Sequence, residues 1–315
     1  MNALRASVTP RLLLVAGLAL TPLLVLGGPD QFVPRSWRAF WDLGHALLFL
    51  LLVSGVLSVW SGWRRRPFVT AFAALALTLL LAVSIEWLQG FVGRDRSVED
   101  LWISVCGAIF GLLYSPALSA LLRPGLVRPV RALVTSGLLI VLSLPAASAL
   151  LDEWRARDDF PVLSDFTSVL ELDRWDGAGG RSRVGAVAGV HSGAMLVRVE
   201  PAEAGGIHLR YFPRDWSAYR TLVIRINNDG PPIAMTCRLN DVAHDLQTPH
   251  ENSDHYEESF TLQTGWQEVR LDLETAATSL SSRRMDLASM NGLTCLWTNL
   301  DRPLILELDR VWLTR

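Results

Sequence analysis

Long stretches without a charged residue run through the first half of the chain and stop near residue 151. Five of these runs, each 17 to 22 residues long, cover residues 12–28, 46–62, 68–85, 101–122 and 132–151. An α-helix rises about 1.5 Å per residue, so roughly 20 apolar residues cross the hydrocarbon core of a bilayer. The pattern predicts an α-helical membrane bundle of five transmembrane helices over residues 1–151.

The periodicity changes after residue 151. A charged linker is predicted over residues 152–159, and short segments follow in which apolar and polar side chains alternate. Gly, Pro and Asn-Asp turns separate these segments, which is typical of an antiparallel sandwich. We therefore expect an all-β sandwich, a jelly roll, over residues 160–315. Its eight predicted strands are residues 194–199, 207–211, 221–226, 233–239, 258–262, 267–271, 293–297 and 304–313.

The two halves also differ in charge. All 29 basic residues are Arg, and the net charge of the whole chain is −2. Residues 1–150 hold 12 Arg against 6 acidic residues, a net charge of +6, whereas the remainder holds 17 Arg against 25 acidic residues, a net charge of −8. An acidic soluble half disfavours a nucleic-acid partner.

The distribution of Arg predicts the orientation in the membrane, because loops rich in positive charge stay in the cytoplasm. With a cytoplasmic N-terminus, the inner segments carry eight Arg and the outer loops carry four. No small-residue cleavage site follows the first run, so we expect an uncleaved first helix. Five crossings then place the β half in the periplasm or on the cell exterior, and the predicted location is the cytoplasmic (inner) membrane of a multi-pass protein in contact with the lipid bilayer.

Ionisable side chains at membrane depth are costly and therefore tend to mark function. His45 is the only histidine of the first half, and Glu86 is embedded in apolar sequence. The predicted topology brings both to the outer ends of their helices, together with polar residues from the adjoining loop and helix. This predicted outer-face group consists of Asp42, His45, Glu86, Gln89, Arg94 and Asp100.

Three uses of the outer-face group are compatible with its chemistry. The side chains can form an ion-paired lock between helices two, three and four, or bind a lipid headgroup or lipid-linked precursor. They can also catalyse a reaction, either by acid/base chemistry of His45 and Glu86 or with a metal held by His45, Glu86 and Asp100. No established catalytic motif or cofactor fingerprint selects among these uses, and the cofactor stays unknown.

The order of these residues resembles the VanZ-like family of bacterial membrane proteins over roughly residues 12–122. The motif strings are Asp42-x-x-His45, Glu86-x-x-Gln89, Gly93-Arg94-x-x-Ser97-x-x-Asp100 and Gly107-x-x-x-Gly111. Trp41 and Asp42 stand where the family usually has an Asp-Lys pair, and Ser104 stands where it usually has Asn. The resemblance implies a role in the cell envelope and a link to glycopeptide (teicoplanin) resistance. Gly107 and Gly111 form a small-residue face for close helix contact.

The β half resembles jelly-roll domains of the galactose-binding-like, carbohydrate-binding-module superfamily over roughly residues 160–313. The resemblance rests on Phe212-Pro213-Arg214-Asp215-Trp216-Ser217-Ala218-Tyr219, Arg238-Leu239-Asn240-Asp241, Gly265-Trp266-Gln267 and Leu308-Asp309-Arg310-Val311. Trp216, Tyr219 and Trp266 are expected mostly at core and corner positions.

Sugar recognition uses planar aromatic faces together with carboxylate, amide or Arg groups on one surface. Alternation over residues 233–240 sends Met235 and Cys237 to one side and Arg238 and Asn240 to the other. The histidines that follow have spacings that match no zinc signature, so we predict no metal site there. The predicted ligand-binding residues of the β half are Arg238, Asn240, Asp241 and His244.

Two cysteines of the β half are a candidate disulfide. Cys237 and Cys295 lie in separate predicted strands, and a bond between them requires those strands to be adjacent. An oxidising compartment outside the cytoplasm favours such a bond.

The combined interpretation is an integral membrane protein of the cell envelope that recognises an envelope glycan or lipid-linked precursor through its outer half. Two alternatives remain open. The first is an intramembrane enzyme that acts on a lipid-linked substrate through the outer-face group. The second is a structural membrane anchor that displays a binding module.

Overall fold

The computed structural model describes residues 2–29, 32–59, 65–91, 98–115, 118, 122–178, 182–186, 193–201, 204–246 and 254–315. The chain divides into two compact units. We call Met1–Ala147 the helical unit and Ser148–Arg315 the β unit.

Five helices of 17 or more residues lie in the described part of the first 158 residues. They are α1 Asn2–Leu26, α2 Arg35–Val59, α3 Pro67–Phe91, α4 Val98–Tyr114 and α5 Pro124–Asp158. Three of them are long and apolar enough to cross a membrane, over Arg35–Val59, Pro67–Gln89 and Pro124–Asp158. The predicted bundle of helices is therefore present, but its described part has fewer candidate spans than the five predicted. Among the described residues, α1 contributes the shorter apolar stretch Arg11–Leu24, and α4 has 17 residues.

The helical unit has a small core and an apolar exterior. Leu48, Phe49 and Leu57 of α2 are buried in that core. Large apolar side chains of α3, such as Phe68 and Phe72, are instead exposed. Many exposed large apolar side chains are unfavourable in water, so this exterior suggests helices that span a membrane.

The β unit is a sandwich of two antiparallel sheets. Its described strands are β1 Val162–Ser164, β2 Trp175–Ala178, β3 Ser182–Ala186, β4 Met195–Val199, β5 Ala204–Leu209, β6 Thr221–Asn228, β7 Ile233–Asp241, β8 Tyr256–Leu262, β9 Gly265–Asp272, β10 Met290–Thr298 and β11 Leu304–Thr314. The first sheet has the strand order β3-β4-β11-β6-β9, with β1 paired to β11, and the second has the order β2-β5-β10-β7-β8. All eight strands predicted from alternation are present, and three short strands near the start of the unit were not predicted.

One core fills the space between the two sheets. Trp216 and Trp297 are fully buried in it, and Tyr219 packs against its edge. The expected core and corner roles are therefore found for Trp216 and Tyr219. Trp266 differs, because its side chain is 47% exposed at the start of β9. Strand β9 is an edge strand, so an outward side chain there has no neighbour on its far side to cover it.

The segment predicted as a linker is helical. Helix α5 continues through Asp158, and its last residues belong to the β unit. Asp152 and Ala156 are buried there. The guanidinium of Arg174 donates from Nη2 to Asp152 Oδ1 at 2.8 Å and from Nε to the same carboxylate at 3.0 Å. The Asp152–Arg174 pair thus attaches this end of the helix to the rest of the β unit.

Candidate functional sites

Three ionisable side chains of the helical unit converge. His45 comes from α2, Glu86 from α3 and Asp100 from the first turn of α4, and they are 1%, 7% and 6% exposed. One potential ligand atom from each lies within 4.8 Å of the other two. His45 Nδ1 is 4.0 Å from Asp100 Oδ1. We call these three residues the helix cluster.

A close crossing of α2 and α4 places two members of the helix cluster. Asp100, Gly107 and Gly111 share one face of α4, because offsets of 7 and 11 residues return to nearly the same helix direction. A Cβ on Gly107 would overlap the backbone of Ala46, the residue after His45, and one on Gly111 would lie 2.8 Å from Val53 Cβ. The predicted small-residue contact is confirmed, and it brings Asp100 to the side of His45.

The other predicted members of the outer-face group are placed differently. Gln89 is buried, and its Nε2 donates to the carbonyl oxygen of Leu24 at 2.9 Å, so it binds the last turn of α1. Asp42 lies one turn before His45 and is partly buried. Arg94 lies outside the described residues. The structure thus joins His45, Glu86 and Asp100 and gives Gln89 a separate partner.

In the β unit, a row of polar side chains crosses the whole five-stranded sheet. The register pairs Asp176 with His208, His208 with Thr294, Thr294 with Arg238 and Arg238 with Glu257. The neighbours of Arg238 along β7, Cys237 and Leu239, are fully buried, so the row faces away from the core. We call this set the polar row; its members are Asp176, His208, Thr294, Arg238 and Glu257.

Side chains around the polar row are held by hydrogen bonds. Glu257 Oε1 is paired with Arg238 Nε and lies 2.8 Å from His255 Nε2. At the other end of the row, Arg210 Nε lies 3.0 Å from Asp176 Oδ2. The pairs fix the directions of Arg238, Glu257, Arg210 and Asp176, whose side chains stay 40–49% exposed, so the row presents an ordered alternation of charges and dipoles to the solvent.

Two predicted ligand residues lie on this face. Arg238 belongs to the polar row, and Asn240 is the next outward residue of β7, where its Nδ2 donates to Asp245 Oδ2 at 2.7 Å. The predicted alternation over residues 233–240 is confirmed. Gly292 faces Asn240 across the strands, and a Cβ there would lie 2.9 Å from His208 Nε2 and would overlap Asn240. The bare glycine lets these two polar side chains approach each other.

The other two predicted ligand residues lie in a buried corner instead. Asp241 is 0% exposed, and Arg283 donates to both of its carboxylate oxygens. The same guanidinium binds the fully buried Asp254, whose Oδ2 lies 3.5 Å from His244 Nδ1. The backbone N–H of His244 donates to Asp241 at 3.0 Å. Asp241 and His244 therefore belong to this buried corner and not to the outward surface that carries the polar row.

Sequence reasoning missed His208. The pKa of His208 is lowered, first by its burial and then by the nearby Arg210, and Asp176 and Asp245 oppose these effects only in part. The imidazole is therefore neutral at pH 7, with one nitrogen that donates and one that accepts a hydrogen bond. Alternation within β5 would have put His208 on the polar side, but the strands beside it cannot be identified from the sequence.

Two further surface features of the β unit are alternative candidates for a ligand-binding surface. Trp266 projects from β9 on the other sheet, with the guanidinium carbon of Arg225 5.5 Å from its ring centroid. A concavity of 820 Å³ is lined by Tyr219, Asp272, Glu274 and Arg284 among others, and Arg284 donates to both Glu274 oxygens at 2.8 and 2.9 Å. Neither feature contains a predicted ligand residue.

The two cysteines of the β unit meet the condition stated for a disulfide. Their strands β7 and β10 are adjacent, and Cys237 and Cys295 are direct partners in the register. Both thiols are free in this structure. Burial raises the pKa of the Cys237 thiol, with a further contribution from Cys295. The bond between them stays a prediction.

Comparison with known proteins gives a likeness of fold for the C-terminal half. No family model and no curated protein match the chain, so the VanZ-like resemblance also stays a prediction. The chain is similar to a family 11 carbohydrate-binding module from Clostridium thermocellum in complex with a beta-1,3-1,4-mixed-linked tetrasaccharide, with 16% identity and a TM-score of 0.39, over 49% of this chain and 94% of that chain.

Two larger solved proteins share the likeness. One comprises the CBM22-1 and GH10 modules of xylanase 10B from Clostridium thermocellum, complexed with xylohexaose, with 15% identity and a TM-score of 0.35, over 50% of this chain and 29% of that chain. The other is an exo-beta-agarase, with 14% identity and a TM-score of 0.37, over 49% of this chain and 24% of that chain.

Proposed function

We propose that the β unit binds a glycan on the outward face of its five-stranded sheet. The observation that carries this proposal is the polar row, in which one outward side chain from each of five adjacent strands lies in register. Neighbouring strands are about 4.8 Å apart, so five strands span roughly 19 Å. A surface of that width accommodates an extended chain of several sugars.

The chemistry of the polar row suits a polyol. Each sugar hydroxyl both donates and accepts, and the row offers a carboxylate, a neutral imidazole, a hydroxyl, a guanidinium and a second carboxylate in turn. Hydrogen bonds to charged groups are worth about 1.5–3 kcal/mol each, more than those between neutral groups. Since Arg238 and Asp176 are already held by ion pairs, little further side-chain order is lost on binding.

Aromatic side chains are not part of this face among the described strands. Trp175 and Trp297 lie on the same sheet but point into the core, where both are buried. Recognition would therefore depend on hydrogen bonds, and we expect modest affinity with a preference for particular hydroxyl configurations.

The helical unit supports a membrane location for this binding activity, because three of its helices are long and apolar enough to span a bilayer. We further propose the N-in orientation that follows from the Arg count, with the β unit outside the cytoplasm. The ligand is then an envelope glycan or a lipid-linked precursor, and the VanZ-like resemblance extends the proposal to glycopeptide resistance. A C-terminal alkaline phosphatase fusion tests the orientation, since only an exported fusion is active.

Glycan binding is tested with the full chain in lipid nanodiscs. An array of envelope and plant-type polysaccharides identifies ligands, and calorimetry measures their affinity for the wild type and for Arg238→Ala. We expect the substitution to weaken binding at least about tenfold, equivalent to about 1.4 kcal/mol. Arg225→Ala is the matched control. Like Arg238, Arg225 is about half exposed and pairs with an acid, with 3.3 Å between its Nε and Asp309 Oδ2, but it lies on the other sheet.

Two outcomes would contradict this assignment. A folded, correctly inserted protein that binds nothing on the array leaves no support for glycan recognition. Binding that survives Arg238→Ala but is lost in Trp266→Ala would move the ligand to the opposite sheet.

A further inference from the structure

We propose that the helix cluster of His45, Glu86 and Asp100 is a binding site for a divalent transition-metal ion. This inference is independent of glycan binding, because all three residues belong to the helical unit. Among the residues that the structure describes, this is the group of His, Cys, Asp and Glu side chains whose ligand atoms converge closely enough to hold an ion.

The donor set favours particular metals. One imidazole nitrogen and two carboxylate oxygens are ligands of Zn²⁺, Mn²⁺ and Fe²⁺, whereas copper(I) prefers thiolate and thioether ligands. Zinc sites with three protein ligands of this kind keep a fourth position for water or substrate. The helix cluster therefore matches an open site for Zn²⁺ or Mn²⁺ and leaves at least one position for an oxygen ligand, such as water or a phosphate group.

The distances are close to those of a filled site. Metal bonds of about 2.0–2.2 Å in tetrahedral geometry separate neighbouring ligand atoms by roughly 3.4 Å. The ligand atoms of the helix cluster lie within 4.8 Å of one another, and His45 Nδ1 is 4.0 Å from Asp100 Oδ1. Side-chain rotations that shorten these separations by about an ångström would complete the coordination, and they need no movement of the helices.

The surrounding structure holds the ligands on rigid elements. Glu86 follows the buried Ile85 in α3, and the close crossing at Gly107 fixes α4 against α2 next to His45. Sites built on helices are held more precisely than sites built on loops. Three ligands from three helices also make the ion a crosslink, so bound metal should stabilise the helical unit.

Charge gives a reason for a cation at this place. Two buried carboxylates within 4.8 Å of each other repel, and burial in an apolar helical unit adds a desolvation cost for each of them. A divalent cation bound between the two carboxylates would reduce this repulsion. An imidazole ligates a metal in its neutral form, which is the form His45 would take with an ion bound.

The test uses the full chain in nanodiscs, purified without a histidine tag, stripped with a chelator and dialysed against Zn²⁺ or Mn²⁺. We expect about one equivalent of metal by elemental analysis and a higher thermal unfolding temperature of the loaded protein. Glu86→Gln and Asp100→Asn should weaken binding more than about a hundredfold, beyond the 10–100-fold typical of residues that only support a ligand. Glu99→Gln, an exposed acid beside Asp100, should bind as the wild type does.

The proposal is overturned if the stripped wild type takes up no metal, or if both substitutions retain wild-type stoichiometry and affinity, which would assign the metal to histidines elsewhere. A further measurement needs no variant and so does not depend on variant folding. Wild-type protein loaded with Co²⁺ should show the visible absorption of a four- or five-coordinate nitrogen and oxygen site. A spectrum of free hexaaqua Co²⁺ would also overturn the proposal.

Discussion

Substitution of Arg283 tests whether one guanidinium holds the buried corner of the β unit together. Arg283 donates from Nη1 and Nη2 to Asp241 at 2.5 and 2.7 Å, and from Nε and Nη2 to Asp254 at 2.6 and 2.9 Å. Both aspartates are 0% exposed. Arg283→Met removes the guanidinium that pairs with both buried carboxylates, and breaking a buried ion pair in this way costs about 3–5 kcal/mol.

The cost of this substitution should depend on pH. Burial alone would raise the pKa of Asp241, but hydrogen bonds from Arg283 and from the backbone N–H groups of Asp286 and His244 outweigh it and lower that pKa. A lowered pKa contributes stability that is fully present above the unfolded value, near 3.8, and is lost as pH falls through the folded value. In Arg283→Met the carboxyls can be buried in protonated form, so the difference between wild type and variant should shrink as the pH falls from 7 towards about 4.

Urea-dependent pulse proteolysis of the full chain in nanodiscs measures the effect, with the β unit followed through a C-terminal epitope. For an m-value of about 2 kcal/mol/M, a loss of about 3–5 kcal/mol lowers the midpoint by roughly 1.5–2.5 M. Arg284→Met is the matched control. Its guanidinium binds Glu274 in the same two-bond manner, but the pair is 62% and 65% exposed, so its loss should cost less than about 1 kcal/mol.

The reasoning is refuted if Arg283→Met and Arg284→Met lower the midpoint equally at pH 7, or if the Arg283→Met effect is the same at pH 4 and pH 7. As a second check, adding Asp241→Asn and Asp254→Asn to Arg283→Met should recover part of the lost stability, since the buried charges are then gone.

Three further predictions concern other parts of the chain. Gly107→Ala should destabilise the helical unit by about 1–3 kcal/mol in an SDS titration. Gly137→Ala is the control: a Cβ there meets nothing within 4 Å, so it should stabilise the unit by about 0.5–1 kcal/mol. Equal effects of the two substitutions would contradict the close crossing of α2 and α4. Arg174→Met should cost about 3–5 kcal/mol in the proteolysis assay because it breaks the buried ion pair with Asp152, and a loss under about 1 kcal/mol would contradict this. Burial lowers the pKa of His208 below the ordinary histidine value of 6.5. Glycan affinity should therefore be constant from pH 8 to about pH 6.5 and fall only at lower pH. A decline in affinity that starts above pH 7 would contradict a neutral imidazole.

Local sequence patterns predicted the helices and strands that have long apolar runs or a clear alternation of apolar and polar residues. The eight alternating segments became strands, and the apolar runs became helices. The short strands β1 and β2 were not predicted, because three or four residues are too few to show an alternation of apolar and polar side chains. The charged end of α5 was assigned to a linker because Arg174, which pairs with the buried Asp152, lies 22 residues further along the chain and leaves no local pattern.

The sequence by itself determined the division into an apolar half with net positive charge and an acidic β half, and the sides of β7 to which Arg238 and Cys237 project. These are properties of composition and of a period of two or 3.6 residues, which neighbouring residues alone specify. Only the tertiary structure decided which partners meet. Glu86 reaches His45 and Arg283 reaches Asp241 over separations of about 40 residues. Such contacts depend on helix crossings and strand register, which no local period encodes.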